Sequence, residues 1–311
     1  MAKRTTRRKK SSVTDETREA IKNLRLLDDV FMSEVLVDNI EGVQDIVNVC
    51  LEREDIVVES VEVQKEYRNF RGRGVKLDVL ARDKEGKLYN IEIQRDSSEA
   101  TPERVRYHLS ALDWNNSKPN QKFTELGEIW VIFIVETPRY NKTQPFATLE
   151  QRIRETNELV EDGRHVRFVN AAYIGNDKIG KLMADFRAKE AKDMYYQSLA
   201  KRAKQIKETE EGIERMSDVL EELVEKRVKK EREKGRKEGI KEGIERGEKR
   251  GEKRGMKKGM EKGMEKGMEK ERIQTLGVLL AFNSPDTLMH DPKFVPLGYT
   301  LAEINAAMAV K

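Results

Sequence analysis

The sequence predicts an α/β fold with a mixed sheet and elements in the order αβββαβ, followed by a long, charged, helical C-terminal extension. Three observations support this prediction. β-Rich segments lie at 56–67, 75–81 and 88–94. A helix start follows at Thr101, with Pro102 at the first helical position. The uninterrupted apolar run "IWVIFIVE" at 129–136 is typical of a strand that is buried on both faces of a sheet.

The other elements follow from apolar periodicity. Between residues 27 and 50, apolar side chains recur at helical spacing and predict one or two helices, with a break near 39–42. The segment "HVRFVNAAYI" at 165–174 predicts a further strand. The sheet and its helices are therefore expected to be complete by about residue 175. Beyond it the sequence reads as helical and charged until a run of periodic glycines begins.

Charge is distributed unevenly along the chain. Of 311 residues, 38% are charged and 37% are hydrophobic, which is too polar for one compact core throughout. The net charge is +4. Residues 1–10 carry +6, and residues 235–270 carry 13 basic and 8 acidic side chains, so the remaining chain has a net charge of −7. Basic appendages on an acidic body suggest a polyanionic partner, most often nucleic acid, and the alternative is a solvated, disordered tail.

Cysteine content and hydropathy address the cellular compartment. The lone Cys50 excludes an internal disulfide framework and suits a reducing compartment, so a cytoplasmic location is expected. The longest apolar run falls well short of the roughly 18–20 residues that a membrane span needs. No apolar segment follows the basic N-terminus, so neither membrane association nor secretion is expected.

Composition divides the chain into five predicted parts. They are a disordered basic arm (1–16), an α/β domain (17–190), a charged helix (191–234), a glycine-periodic low-complexity tether (235–270) and a small helical C-terminal segment (271–311). Nine glycines in the tether each cost ~0.8–1 kcal/mol of helix stability relative to alanine, so the tether alone is expected to be a weak helix. Its regularly spaced methionines offer an apolar strip to a partner chain. Homo-oligomerisation through C-terminal helices, as in a coiled coil, is therefore predicted.

The hairpin over 75–94 contains the residues that could carry chemistry. Its turn, "DKEGK", fits a three-residue loop with Gly86 in the left-handed conformation, and closing that loop pairs residues whose numbers sum to 170. Asp78 then lies opposite Glu92, and Lys76 opposite Gln94. Period-2 alternation places these polar residues on one face of the hairpin. The other face is predicted to be apolar and to consist of Val75, Leu77, Val79, Ala81, Tyr89, Ile91 and Ile93.

Two carboxylates directly opposite each other on neighbouring strands repel, so the pair Asp78 and Glu92 needs a compensating charge. A hard divalent cation such as Mg²⁺ would supply it, because this ion binds one or two carboxylates together with water and substrate phosphate. Gln94 could contribute a ligand or orient a water, and Lys76 could place positive charge near an attacking hydroxide. The alternative is a solvent-exposed polar face on which Asp78 pairs with Lys76 or another base.

The stretch "VKLDVLARDKEGKLYNIEIQ" resembles the core motif of the PD-(D/E)XK nuclease superfamily. It is most similar to the branch of recombination-promoting nucleases, or putative transposases, and the resemblance covers roughly residues 27–175. It implies a restriction-endonuclease-like core and a DNA endonuclease that depends on Mg²⁺ or Mn²⁺. Asp78 and Glu92 would be metal ligands, with Gln94 in the place of the usual lysine. In some members an acid on the first helix joins the site, and Glu34 is the nearest candidate.

Basic residues near the predicted site suggest contacts with DNA. The segment "KEYRNFRGRGVK" at 65–76 joins the first two strands and is strongly basic, as is typical of a loop that binds the DNA backbone. Residues on the following helix could also reach a phosphate. The alternative is a solvated basic loop and ordinary surface side chains. The predicted DNA-binding residues are Arg68, Arg71, Arg73, Arg104 and Tyr107.

Three functions remain open at this point. The first is a metal-dependent DNA endonuclease that serves recombination or the movement of mobile elements. The second is a nucleic-acid-binding protein that keeps the fold and has lost catalysis, for which Gln94 is the main indication. The third is a structural protein that assembles through its C-terminal helices. A zinc site is not expected, because the chain has one cysteine and its histidines, among them His108, lack metal-ligand spacing.

Overall fold

The computed structural model describes residues 13–69, 72–140 and 142–309. The chain divides into two units, at residues 1–225 and 226–311. Most of the predicted basic arm, 1–16, lies outside the described residues. Its last two residues, Asp15 and Glu16, begin the first helix, where the Thr14 side chain accepts a hydrogen bond from the backbone N–H of Thr17.

A mixed six-stranded sheet forms the centre of the first unit. Its strand order is β1–β2–β3–β4–β6–β5. Strands β1 to β3 are antiparallel, β3, β4 and β6 are parallel, and β5 is antiparallel to β6. The predicted α/β class with a mixed sheet is therefore confirmed. The strands are β1 (Val58–Tyr67), β2 (Val75–Asp83), β3 (Leu88–Gln94), β4 (Ile129–Val135), β5 (Phe146–Leu149) and β6 (Arg164–Asn170).

Helices precede, interrupt and follow the sheet. The predicted break near 39–42 corresponds to the short gap between the second and third helices. The helices are α1 (Asp15–Asn23), α2 (Asp29–Leu36), α3 (Ile40–Leu51), α4 (Pro102–Asn116), α5 (Lys178–Arg187), α6 (Gln197–Glu208), α7 (Glu210–Leu279), α8 (Pro285–His290) and α9 (Leu301–Ala309). Helix α4 is the crossover between the parallel strands β3 and β4, and it starts at the predicted Thr101 cap, whose hydroxyl accepts from the N–H of Arg104. None of the described helices combines the length and the apolar composition that a membrane span requires.

The buried apolar side chains of the first unit form a core on each side of the sheet. Alternation along β4 shows the division, because Ile132 and Ile134 belong to one cluster and Val131 and Phe133 to the other. The first core packs the sheet against α1, α2, α3, α5 and α6. The second core packs the opposite face against α4. Two residues of the predicted polar face, Asn90 and Glu92, are therefore buried on the side of the sheet that α4 covers, whereas Lys76 of the same predicted face is exposed.

The first core extends further along the chain than the sequence predicted. The sheet ends at Asn170, but α5 and α6 contribute Phe186 and Leu199, and α7 contributes Met216. Apolar residues at helical spacing explain this, since Ile179, Leu182, Met183 and Phe186 share one face of α5. The strand β5 was also not predicted. It has only four residues and lies at the edge of the sheet.

Two predicted face assignments, Val75 and Leu77, are wrong, and the reason lies in the backbone. Val79 and Ala81 belong to the first core, as expected for the apolar face, whereas Leu77 belongs to the second. Alternation therefore reverses at Asp78. In β1 the facing residue, Gln64, has a φ of 56°, which is uncommon for a residue other than glycine. Both strands change faces at this point, so Val75 also packs on the second core rather than with Val79.

The second unit, residues 226–311, contains the glycine-periodic segment and a small core of its own. Its nine regularly spaced glycines lie in α7, and a Cβ added at any of them would meet no atom within 4 Å. The small core consists of Leu276, Leu288, Ile304 and Ala307. Thr300 caps α9 where the sequence predicted a helix start, because it exchanges hydrogen bonds with Glu303. The domain boundaries and the low stability of the isolated tether stay predictions.

Candidate functional site

The turn between β2 and β3 sets the register of the hairpin. Gly86 has a φ of 86°, a conformation that suits glycine, and the carboxylate of Asp83 accepts the N–H groups of Glu85 and Lys87. Val79 consequently pairs with Ile91, as the sequence predicted. The paired part of the hairpin ends there, and Asp78 and Glu92 are the next residues of the two strands.

At Asp78 and Glu92 the two strands are joined by hydrogen bonds from backbone N–H groups to side-chain carboxylates. The N–H of Asp78 donates to Glu92 Oε1 over 3.2 Å, and the N–H of Ile93 donates to Asp78 Oδ2 over 3.0 Å. Each carboxylate thus accepts a backbone N–H from the opposite strand. These hydrogen bonds hold the two carboxylates close together where the backbone pairing ends, and we call Asp78 and Glu92 the acid pair.

Glu92 is completely buried. Its side chain is 0% exposed, and its Oε2 receives Arg104 Nη2 of α4 over 3.1 Å. His108, one helical turn further along α4, places Nδ1 3.4 Å from Oε1 of Glu92. Arg104 also reaches the exposed Glu99 over 3.1 Å. Burial of a carboxylate is costly unless it is paired and hydrogen-bonded, and Arg104 supplies that pairing.

His108 was not among the residues that the sequence singled out, because its spacing matches no metal site. It is 3% exposed and hydrogen-bonds through Nδ1 with the side-chain amide of Asn90 over 3.1 Å. Asn90 precedes Glu92 by two residues on β3 and faces the same helix. The feature of the sequence that could have identified His108 is its position four residues after Arg104, which places both side chains on one face of α4.

The electrostatics of the acid pair reflect two close carboxylates, of which Glu92 is fully buried and Asp78 is partly buried. The pKa of Asp78 is raised to about 7, first by burial and then by the neighbouring charge of Glu92, while the hydrogen bond from the N–H of Ile93 opposes both effects. The charges of Asp29 and Arg104 act in opposite directions. The acid pair therefore carries uncompensated negative charge when Asp78 is ionised.

The acid on the first helices that influences this site is Asp29 rather than the sequence-derived candidate Glu34. Asp29 begins α2, and its carboxylate accepts a hydrogen bond from Gln64 Nε2 over 2.9 Å, beside the point where β1 and β2 change faces. The charge of Asp29 raises the pKa of Asp78. Glu34 instead binds Arg215 Nε over 2.8 Å.

A divalent metal can be tested against the donor set present. The described residues contain no group of three or more histidine, cysteine or acidic side chains arranged to hold a metal ion. The two carboxylates Asp78 and Glu92 nevertheless fit Mg²⁺, which binds through one or two carboxylates and otherwise through water and phosphate. The raised pKa of Asp78 agrees with this fit, because burial and the nearby charge of Glu92 both disfavour the ionised carboxylate, which a bound cation would favour.

A cleft of 600 Å³ opens beside α4 and contains several of the sequence-predicted residues. Lys76, Arg73, Arg104 and Tyr107 line it, and His108 forms part of its wall. Lys76 is exposed. We call this space the α4 cleft.

The remaining predicted residues lie at different distances from this cleft. Gln94 ends β3 half-buried, and its carbonyl accepts a hydrogen bond from the N–H of Glu136 beyond β4. Arg68 is exposed and lines a neighbouring groove rather than the α4 cleft. Arg71 lies outside the described residues. The structure thus gathers Lys76, Asp78, Glu92, Arg73, Arg104 and Tyr107 around one end of α4.

Comparison with protein families gives one match. The family model described as "PD-(D/E)XK nuclease family transposase" matches residues 29–243, which is more than half of the chain. Its matched region includes the acid pair, the whole sheet and much of α7. Neither the curated proteins nor the solved structures gave a match to this chain.

Proposed function

Because the chain belongs to the family of PD-(D/E)XK nuclease family transposases, we propose that it is a DNA endonuclease that hydrolyses phosphodiester bonds with Mg²⁺ or Mn²⁺. The observation that supports this most directly is the acid pair, in which Asp78 and Glu92 each accept a hydrogen bond from a backbone N–H of the other's strand. A purely structural hairpin would not need two carboxylates at adjacent strand positions, since like charges there are destabilising.

Asp78 and Glu92 are the proposed metal ligands. Bound Mg²⁺ would lower the pKa of a water ligand and polarise the scissile phosphate. The protein holds the two acids in place through the backbone N–H groups of Asp78 and Ile93, so their positions depend on the strands rather than on flexible loops. Such support by rigid elements is what a catalytic constellation requires.

Arg104 has a double role in this proposal. In the structure it neutralises the buried Glu92 over 3.1 Å. It must release Glu92 Oε2 before that oxygen can bind a cation, and its guanidinium is then available to a DNA phosphate in the α4 cleft. The second partner of Arg104, Glu99, is exposed to solvent and does not take part in this exchange.

Lys76 is the proposed source of positive charge near the nucleophile, since Gln94 stands where a lysine is usual. It lies two residues before Asp78 and lines the α4 cleft. Arg73 and Tyr107 line the same cleft and are proposed to contact the DNA backbone, together with Arg68 and Arg71 of the same segment. Basic side chains and hydroxyl groups are the common phosphate contacts in protein–DNA complexes.

The proposal extends to the setting of the reaction. The family points to recombination or the movement of mobile elements as its purpose. A cytoplasmic location is proposed, and the buried, unpaired Cys50 agrees with a reducing compartment. Self-association through the C-terminal helices is proposed from the four exposed methionines of the repeat, Met256, Met260, Met264 and Met268.

A plasmid-nicking assay tests the nuclease proposal. Wild-type protein is expected to nick supercoiled plasmid in the presence of Mg²⁺ or Mn²⁺, and Asp78→Asn and Glu92→Gln are each expected to slow nicking by about 10³-fold, or roughly 4 kcal/mol. Glu99→Gln is the matched control, because Glu99 binds the same arginine from an exposed position. Circular dichroism would verify that the variants fold.

Two results would decide against the proposal in different ways. Nicking that neither Asp78→Asn nor Glu92→Gln reduces would come from a contaminating enzyme and end the nuclease assignment. Metal-independent DNA binding by a wild-type protein that never cleaves would favour the catalytically inactive, nucleic-acid-binding alternative, for which Gln94 is the sequence feature.

A further inference from the structure

A second groove, of 310 Å³, adjoins the α4 cleft and is lined by aromatic rings. One wall is a face of α4 with Tyr107, Ala111 and Trp114, which are spaced at i, i+4 and i+7. The other wall comes from the end of β1 and the start of β2, where Tyr67 and Val75 lie. We call this space the aromatic groove.

Two of the three aromatic rings that line this groove are exposed to solvent. Trp114 is 67% exposed and Tyr107 is 39% exposed. Tryptophan is highly buried on average, so an exposed ring in a concave, mainly apolar site marks a binding surface rather than a core. The position of the Tyr107 ring is also fixed, because the Tyr107 hydroxyl donates a hydrogen bond to the carbonyl of Arg73.

The charge of the aromatic groove restricts what it could bind. Arg68 and Arg73 are among its described lining residues, and no acidic residue is. An apolar peptide would not need this charge, and a simple anion would not need the rings. A nucleotide combines both features, since its base stacks on aromatic side chains and its phosphate pairs with arginine.

The groove is continuous with the proposed catalytic region. Arg73, Val75 and Tyr107 line both the aromatic groove and the α4 cleft. The α4 cleft in turn holds Arg104, which binds Glu92 of the acid pair. A strand of DNA that lies in the α4 cleft would therefore pass directly into the groove.

We propose that the aromatic groove binds the base of an unpaired nucleotide of the DNA substrate, next to the bond that is cleaved. Trp114 and Tyr107 stack on the base, and Arg68 and Arg73 hold the flanking phosphates. The proposal rests on the proposed nuclease function for its substrate and adds a preference to it. In a perfect duplex both faces of each base are covered by neighbouring pairs, so single-stranded DNA, or a duplex with unpaired nucleotides, is the preferred ligand.

Intrinsic fluorescence can report this contact directly. The chain has two tryptophans, and Trp130 stacks on His165 at a ring distance of 4.3 Å. Trp130→Phe leaves Trp114 as the sole tryptophan. Titration of that protein in EDTA with a short single-stranded DNA oligonucleotide is expected to quench its emission. The same amount of the fully paired duplex is expected to quench it much less.

Affinity measurements with a fluorescein-labelled oligonucleotide complete the test. Trp114→Ala is expected to weaken single-strand binding about 5- to 150-fold, the range for the loss of one base-stacking contact, with little change for the duplex. Trp114→Phe should restore most of the affinity. Phe123→Ala is the matched control, because Phe123 is 90% exposed and does not line the groove.

Several outcomes would overturn the proposal. One is that Trp114→Ala leaves the affinities for single-stranded and duplex DNA unchanged or reduces them equally. Another is that Trp114→Ala changes the sedimentation of the protein without DNA, which would identify the groove as an interface between two copies of the chain. Cleavage separates this proposal from the nuclease assignment. If the wild-type protein prefers single strands but never cleaves DNA, the proposed role of the groove stands and the nuclease function is wrong. If it cleaves DNA without preferring single strands, the nuclease function stands and the proposed role of the groove is wrong.

Discussion

The acid pair and the glycine-periodic part of α7 differ in how strongly their side chains depend on their surroundings. Glu92 is fully buried, and both of its carboxylate oxygens meet protein donors. Along residues 235–270, by contrast, every described side chain is exposed, and a Cβ at any of the nine glycines would contact nothing within 4 Å. The repeat is the most conspicuous feature of the sequence, yet the hairpin has the contacts on which chemistry depends.

The comparison teaches that regularity in a sequence and energetic constraint are separate properties. A substitution at the acid pair alters a buried charge whose partners are fixed by two strands and a helix. A substitution in the repeat alters only the local preference of an exposed helix. Effects on the free energy of unfolding, whether favourable or unfavourable, should therefore be larger per residue at the acid pair and its partners than in the repeat.

The largest stability effect is expected for Arg104→Ala. This change leaves the carboxylate of Glu92 buried without its arginine and should lower the free energy of unfolding by about 3 kcal/mol. Urea unfolding at neutral pH would measure it. Glu99→Gln removes the exposed partner of the same arginine and should cost less than about 1 kcal/mol. Equal costs for the two variants would mean that Glu92 does not depend on Arg104.

Asp78→Asn is expected to stabilise the metal-free protein. The pKa of Asp78 is raised to about 7 by burial and then by Glu92, so folding favours its protonated form. Stability from this group is complete below pH ~4, the usual pKa of an aspartate, and is lost as the pH rises through about 7. The variant avoids that loss, while its amide oxygen can still accept the N–H of Ile93.

The expected gain for Asp78→Asn is about 2 kcal/mol above pH 7, about half of what the full shift would give because Asp78 is only partly buried. Thermal unfolding in EDTA at several pH values would measure it. The gain should vanish near pH 4. A destabilised variant at pH 8 would show that the ionised carboxylate is already compensated, which would remove the electrostatic support for a cation at the acid pair.

Several parts of this site were open to prediction from sequence because they depend on local chemistry. The turn residues between Asp83 and Lys87 specified the register as far as Val79 and Ile91, so that Asp78 and Glu92 follow as neighbours on the two strands. The start of α4 at Thr101 followed from its cap and from the proline after it. In each case, residues within a few positions of one another determine the structure.

Other parts depend on contacts between distant segments and could not be predicted. The change of faces at Gln64 is accompanied by hydrogen bonds to Asp29 and Ser33 of α2, more than 30 residues away in sequence. The approach of Arg104 and His108 to Glu92 depends on how the second core orients α4 over the sheet. A period-2 pattern contains neither fact, which is why the predicted apolar face was wrong at Val75 and Leu77.

A smaller effect, on catalysis, is expected at the rim of the α4 cleft. Lys76→Met should lower the nicking rate about tenfold, or about 1.4 kcal/mol, because an exposed lysine stabilises a nearby nucleophile through a partly screened charge. Gln94→Met should cost less. Single-turnover nicking with saturating Mg²⁺ would compare them. A loss for Lys76→Met that is no greater than that for Gln94→Met would remove Lys76 from the proposed machinery.

The smallest effect per residue is expected in the glycine-periodic segment, where it should be favourable. Replacing Gly243, Gly247 and Gly251 with alanine should stabilise this part of α7 by ~0.8–1 kcal/mol for each residue, because alanine loses less conformational entropy in a helix and meets no neighbouring atom. Helix content followed by circular dichroism on heating would show the gain. Metal-dependent nicking should be unchanged in this variant.

Deletion of residues 235–270 tests the same contrast from the other side. The deletion is expected to weaken DNA affinity or self-association, because it removes 13 basic residues and the exposed methionine strip, while nicking stays detectable. DNA affinity by anisotropy and molecular mass by sedimentation would separate the two losses. If a folded deletion variant lost nicking completely, the repeat would belong to the catalytic apparatus, and the acid pair would not suffice for cleavage.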